Sequence, residues 1–177
     1  MPTSTLEAFR SLIAACKAVF MHKTADYGAS WRVMRLPSLT DQIFIKAKRL
    51  RTIEEKGVQM TADSVEGDYM AIINYCIMAL LLLKHDDWRL AEGADAAPGV
   101  DAIANGYDAV TEEVYQLLAA KNHDYGEAWR DMRSPSFTDM MLMKLMRIKQ
   151  IEDNQGQTRI SEGVENNYID IINYAIF

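Results

Sequence analysis

One segment occurs twice in this chain, and the repetition restricts the possible folds more than any other feature. Lys121-Asn-His-Asp-Tyr-Gly-Glu-Ala-Trp-Arg-Asp-Met-Arg133 restates Lys23-Thr-Ala-Asp-Tyr-Gly-Ala-Ser-Trp-Arg-Val-Met-Arg35, 98 positions earlier. Each copy runs on into Pro-Ser-x-Thr-Asp, at Pro37 to Asp41 and Pro135 to Asp139. Each then reaches Lys-x-x-Arg, at Lys46/Arg49 and Lys144/Arg147. Self-similarity at a fixed offset means one folding unit used twice.

The unit is helical. Ser4-x-x-Glu7 is a capping box, and Leu6, Phe9, Ile13, Cys16 and Phe20 follow it at helical spacing. Gly28 ends that helix, and Pro37 disfavours helix just before it. Ser38-x-x-Asp41 then reads as the start of a second helix that stops near Gly57. A third runs from about Asp63 to about Asp87. It is apolar nearly all round from Tyr69 to Leu83, the mark of a helix buried on most sides. The apolar run Ala71–Leu83 is too short for a membrane span and carries Asn74. Copy 2 repeats the plan, and no stretch shows sustained strand alternation. The expectation is an all-α bundle of two tandem three-helix repeats with pseudo-two-fold symmetry and third helices near the centre. It makes one domain, 1–177, with repeat 1 at 1–89, a linker at 90–100 and repeat 2 at 101–177. Copy 2 stops where copy 1 is in mid-helix, and with eleven methionines this hints at a homodimer interface.

A net charge of −6 argues against duplex nucleic acid as the main partner, which needs a cationic footprint. It leaves room for a small anion in a local basic pocket. Cys16 and Cys76 lie in helical patterns and read as buried thiols of a reducing, cytoplasmic setting. No signal peptide is expected, since Glu7 and Arg10 interrupt the apolar residues at the start.

The copies agree mainly at polar positions: Lys23/Lys121, Asp26/Asp124, Arg32/Arg130, Arg35/Arg133, Asp41/Asp139, Lys46/Lys144, Arg49/Arg147 and Glu54/Glu152. Ile43, Phe44 and Ile45 meanwhile become Met141, Leu142 and Met143. Retained charge with drifting apolar residues points to a site, although a salt-bridged corner, with Asp26 on Arg49 for instance, would need the same retention. Lys23 and Lys121 fall on apolar stripes, where a lysine snorkels or meets an anion. The differences matter too. Glu112, Glu113, His123 and Asp170 stand where copy 1 has Ala14, Ala15, Ala25 and Ala71. Repeat 2 thus holds the acids a hard cation would take, and repeat 1 looks degenerate in acids. Ala71 further suggests that loss of the Asp170 carboxylate leaves the fold intact.

Lys-x-x-Asp-Tyr-Gly-x-x-Trp-Arg, the Thr-Asp then Lys-x-x-Arg helix, and the closing Asn-Tyr-x-Asp-Ile-Ile-Asn-Tyr resemble the family called nucleotide modification associated domain 1. It is a small all-helical domain of bacteria and phages, here in two copies. The resemblance implies a role around modified nucleotides or DNA. More loosely, the acidic helix before the loop and the acidic helix after it look like the MazG-like all-α nucleoside triphosphate pyrophosphohydrolases. Those hold magnesium with carboxylates from antiparallel helices.

Two readings follow. In the first the protein binds a nucleotide or other phosphate-bearing small molecule and hydrolyses it with Mg²⁺. Lys121, Arg130, Arg133, Lys144 and Arg147 would take phosphates, with Tyr125 or Trp129 on the base and Asn173 near the ligand. Glu113, Asp124, Glu165 and Asp170 would hold Mg²⁺, with Glu113, His123 and Asp170 as catalytic groups. Lys23, Asp26, Tyr27, Trp31, Arg32, Lys46 and Arg49 form the matching set in repeat 1. Glu113 and Asp170 should then converge, and the aromatic rings should cover Arg49 and Arg147. In the second reading the protein is a non-catalytic binding or assembly module, and the repeated loop is a structural corner.

Overall fold

The computed structural model describes residues 4–90, 97–159 and 163–177. Six α-helices carry the chain: α1 (Thr5–Tyr27), α2 (Leu36–Lys56), α3 (Val65–Lys84), α4 (Val100–Tyr125), α5 (Ser134–Asp153) and α6 (Val164–Ile176). Short 3₁₀ turns lie at Ser30–Val33, Asp86–Trp88 and Ala128–Asp131. The described residues contain no strand, so the fold is all-α, as expected. Of the expected linker, residues 91–96 lie outside the described ones, and Val100 already opens α4.

Local chemistry sets the helix ends. The Ser4 hydroxyl accepts from the Glu7 amide while the Glu7 carboxylate accepts from the Ser4 amide, a complete capping box. α1 and α4 end at Gly28 and Gly126, whose φ values of 65° and 58° are left-handed and suit glycine. The second helix starts earlier than its Ser38 signal suggests. It begins at Leu36, with Pro37 inside the first turn, and α5 begins likewise at Ser134 with Pro135. A proline there costs nothing, because the first-turn amides have no intrahelical acceptor.

Packing shows the symmetry. α1 lies on α4, α2 on α5 and α3 on α6, so each helix meets its own counterpart across an axis. The hydrogen bonds across that axis are reciprocal. Thr40 donates to Glu152 Oε1 at 2.8 Å, and Thr138 donates to Glu54 Oε1 at 2.7 Å. Lys149 pairs with Asp41, and Arg51 approaches Asp139 at 3.7 Å. Residue i meeting j while the copy of j meets the copy of i is the geometry of an isologous two-fold interface. The retained Thr-Asp motif and Glu54/Glu152 are therefore accounted for by packing between repeats.

The core is shared. Ile72, Ile77, Leu80, Leu81 and Leu82 of α3 are buried with Tyr107 of α4, Leu145 of α5 and Tyr168 and Ile172 of α6. α3 has the length and hydropathy of a membrane helix, but it packs on α1, α2, α4 and α6 as the central core element. Cys16 and Cys76 are buried free thiols. Burial pushes Cys16 up to about 11 and Cys76 well above its ordinary value, so both stay protonated and unreactive.

Candidate functional site

The Lys-x-x-Arg helices deliver their cations toward the third helix of the same repeat, and the two repeats answer with an acid at different positions. In repeat 1 the acid is Asp68, whose side chain is 1 % exposed. It lies 3.0 Å from Lys46 Nζ and is bonded by Arg49, which also donates to Thr61 Oγ1 and the Asp63 carbonyl, each at 2.8 Å. Arg49 is thus spent on Asp68, not on Asp26. In repeat 2 Asn167 occupies the place of Asp68, and the acid stands one turn later, at Asp170, where repeat 1 has Ala71. Positions three apart on a helix share a face, so Asp170 still points at the second helix. It meets Lys144 Nζ at 2.6 Å and, because it sits further along, Lys121 Nζ of α4 at 2.9 Å. Burial alone would raise the Asp170 carboxyl. The hydrogen bonds and charges of Lys144 and Lys121 outweigh it and hold the group below its ordinary value.

The shift of the acid releases two groups. Arg147, the counterpart of Arg49, is exposed and makes no ion pair among the described residues. Asn167 donates to the Gly163 carbonyl at 2.9 Å, but its buried Oδ1 has no hydrogen-bond partner. Both line an open cleft of about 1280 Å³ between α5, the segment after it and α6, together with Lys144, Asp170, Arg159 and Gln157. Burial first, and the Asp170 charge next, push the Tyr174 phenol above its ordinary value. Repeat 1 carries a cavity of about 590 Å³ in a different place. Lys23, Tyr27, Trp31, Ala71 and Tyr75 line it, and it lies between α1 and α3.

The other expected residues disperse. Glu113 and Glu165 meet each other only through Lys84 of α3, whose Nζ lies 2.8 and 2.9 Å from them. Asp124 is exposed, 3.1 Å from His123 Nδ1, and Asp170 is bridged by two lysines. Glu113 and Asp170 do not converge but answer different cations. Among the described residues no three acids, histidines or cysteines come together as a metal site. The acids as arranged do not fit a Mg²⁺ ion, which asks for near-octahedral oxygen ligands at about 2.1 Å.

The aromatic rings are not over Arg49 or Arg147. Trp129 stacks on Phe177 with centroids 4.7 Å apart, donates to Thr5 Oγ1 and carries the Arg130 guanidinium on its face. Arg130 also bonds Glu127. The Glu127 carboxylate accepts the Thr5 hydroxyl and amide and is pulled down to about 2 by them first and by Arg130 next. Arg32 is buried and donates to the Trp88 carbonyl. Tyr27 and Tyr125 are exposed, as are Asp26 and Arg133. Asn173 is buried with neither amide atom bonded. The corners around Trp129 and Arg32 are therefore structural, whereas Lys121, Lys144, Arg147 and Asp170 gather at one place.

The family model of nucleotide modification associated domain 1 matches residues 23–83 and again 121–177. The chain belongs to that family, in two tandem copies. Each match opens at the repeated lysine and runs to the end of the third helix. The cleft of repeat 2 is built almost wholly within the second match, while Glu113 and Lys84 fall outside both. The same comparisons found no curated protein and no solved structure that matches the chain.

Asp68, Asn167, Lys84 and Arg159 belong to these constellations and were not among the expected residues. For the first two a signal was present. Asp68/Asn167 and Ala71/Asp170 exchange acid and non-acid at i and i+3, which a comparison of Asp170 with Ala71 alone reads as a loss.

Proposed function

We propose that the protein binds a nucleotide in the cleft between α5 and α6, in the service of nucleotide or DNA modification. What supports this is the release of Arg147 and of Asn167 Oδ1 by the shift of the acid. The cleft then offers a free guanidinium fork and an unpaired acceptor, with Lys144 and Arg159 beside them. Arginine grips phosphate with two parallel hydrogen bonds. A buried acceptor without a donor is costly, and a base N–H or a ribose hydroxyl would satisfy it. A nucleotide carries both complements. Magnesium enters this reading on the phosphates of the ligand, where it is commonly held, rather than in a cage of protein acids.

The test is thermal shift and calorimetry with nucleoside mono- and triphosphates, with and without Mg²⁺. Ligand that binds only the native state raises its apparent stability. Arg147→Ala should weaken binding roughly 10- to 100-fold, the worth of a charged hydrogen bond or two. Arg49→Ala should leave binding unchanged, because its partner is Asp68. No response to any nucleotide, or equal binding by Arg147→Ala, sinks the reading.

One set of observations favours a second reading, that of a non-catalytic assembly module. The repeated corners are consumed internally, by Trp129 on Phe177 and Arg32 on the Trp88 carbonyl. A protein that ignores all nucleotides yet associates with itself in sedimentation would support it.

A further inference from the structure

The cavity of repeat 1 has a composition unlike that of the α5–α6 cleft. Its walls are mostly apolar: Tyr27, Trp31, Met70, Tyr75 and Met78, with Lys23 among them. Its size, about 590 Å³, falls in the range of small-molecule pockets, which pair apolar walls with a few placed polar groups. Two of its polar groups lack what their counterparts have. Lys121 pairs with Asp170 at 2.9 Å. Its counterpart Lys23 faces Ala71 at the matching position and has no ion pair among the described residues. Trp129 Nε1 donates to Thr5 Oγ1 at 2.9 Å. Its counterpart Trp31 is only 8 % exposed, and its Nε1–H is buried without a partner. Buried donors are nearly always satisfied, so an orphan N–H in the wall of a cavity calls for an acceptor.

We propose that this cavity binds a flat aromatic monoanion. The ring lies among Trp31, Tyr75, Met70 and Met78, where aromatic stacking and thioether contacts favour it. An acceptor atom takes the Trp31 Nε1–H. The negative group lies on Lys23, in the place where repeat 2 supplies its own carboxylate from Asp170. The ligand thus substitutes for an internal ion pair that repeat 1 lacks. This site is separate from the nucleotide cleft and does not depend on it.

The probe is naphthalenesulfonate, with naphthalenemethanol as its uncharged counterpart, titrated into the full chain by calorimetry. The sulfonate should bind at one site per chain and more tightly than the alcohol. Ala71→Asp restores the acid of repeat 2, so it should pair with Lys23, occupy the anion position and weaken the sulfonate at least about tenfold, near 1.4 kcal/mol. Lys23→Met should abolish the preference for sulfonate over alcohol. Trp31→Phe should weaken binding several-fold through loss of the N–H; it also lowers the melting temperature, because Trp31 packs in the core against Phe20, so affinity is the readout. Arg147→Ala should bind the sulfonate as the parent does, which keeps this result independent of the nucleotide test. The proposal is overturned if Ala71→Asp folds and binds the sulfonate normally. It is also overturned if Lys23→Met keeps the charge preference, or if Trp31→Phe leaves the affinity unchanged.

Discussion

Asp68 and Asp170 perform the same task from different turns of equivalent helices, and what each leaves behind separates the two repeats. Asp68 takes Lys46 and Arg49, so repeat 1 closes its cationic pair and leaves Lys23 without an acid. Asp170 takes Lys144 and Lys121, so repeat 2 closes the first-helix lysine and leaves Arg147 open. Three of the shared cationic positions, Lys23/Lys121, Lys46/Lys144 and Arg49/Arg147, lie around this acid, and in each repeat it serves only two of them. Moving the acid by one turn decides which cation remains for a ligand: an arginine beside a polar cleft, or a lysine beside an apolar pocket. Divergence after duplication here needs no new side-chain chemistry, only a change of address for one carboxylate.

The strongest way to break this comparison is to delete the acid whose loss strands a buried cation. Ala71 suggested that Asp170→Ala would be tolerated, but Lys144 has only 9 % of its side chain exposed. An uncompensated buried charge typically costs about 3–5 kcal/mol, so Asp170→Ala should lower unfolding stability by about that much in urea. The pH profile supplies a second reading of the same group. Its native pKa lies below the unfolded value, so its contribution is present above the ordinary carboxylate range and disappears as pH falls through the depressed value. Asp170→Asn should lack that part of the acid slope. A cost below 1 kcal/mol, or an unchanged slope, would mean that water already serves Lys144.

Asp68→Ala should cost less, about 2–3 kcal/mol, in line with lost charged hydrogen bonds. The reason is that Lys46 and Arg49 have 30 % and 22 % of their side chains exposed and can turn to water. Combining Asp68→Asn with Ala71→Asp gives repeat 1 the arrangement of repeat 2. Contacting positions couple, so the pair should recover more than half of the loss seen in Asp68→Asn alone. No recovery would show that the address of the acid is not interchangeable.

The helices were legible in the sequence because their causes are local: the Ser4 capping box, the stripe from Leu6 to Phe20, and glycines at φ-positive ends. The two-fold arrangement followed from duplication plus an α3 that is apolar all round. The roles of the charges were not legible, because a side chain's partner lies on another helix. Glu113 looked like a metal ligand, yet what it meets is Lys84 from the other repeat. Trp129 looked like a base-stacking ring, yet Phe177 at the far end of the chain already covers it. Glu54 and Glu152 were among the retained charges that pointed to a site, yet they accept from Thr138 and Thr40 across the axis.

Those cross-axis bonds offer a smaller, sharper comparison. Thr40→Val and Thr138→Val each remove one hydrogen bond to a glutamate of the other repeat, and Thr40 also bonds the Tyr168 hydroxyl. Each variant should cost about 1 kcal/mol or slightly more, and a true two-fold should make the two costs nearly equal. A gap of 1 kcal/mol or more between them would show that one side of the axis carries the interface.

The smallest expected effect has the opposite sign. In repeat 1 both polar atoms of Asn74 are bonded: its amide donates to the Cys16 carbonyl at 3.1 Å, and its Oδ1 accepts the Tyr107 hydroxyl at 2.9 Å. Its counterpart Asn173 is buried with both atoms unpaired. Symmetry explains part of the deficit. The residue of α1 that corresponds to Tyr107 is Phe9, which has the ring and lacks the hydroxyl. Phe9→Tyr should therefore place an O–H against Asn173 Oδ1 and stabilise the protein by up to about 1 kcal/mol, the usual net worth of a hydrogen bond. The mirror change, Tyr107→Phe, should cost at least as much, since it strands Asn74. The cycle that decides the matter is Phe9→Tyr in an Asn173→Ala background, where the gain should vanish because the acceptor is gone. A gain that survives there would come from the hydroxyl reaching some other partner. A loss of stability in both backgrounds would mean that the pocket around Phe9, itself 1 % exposed, has no room for one more oxygen, and that the two-fold relation fails at this corner of the core.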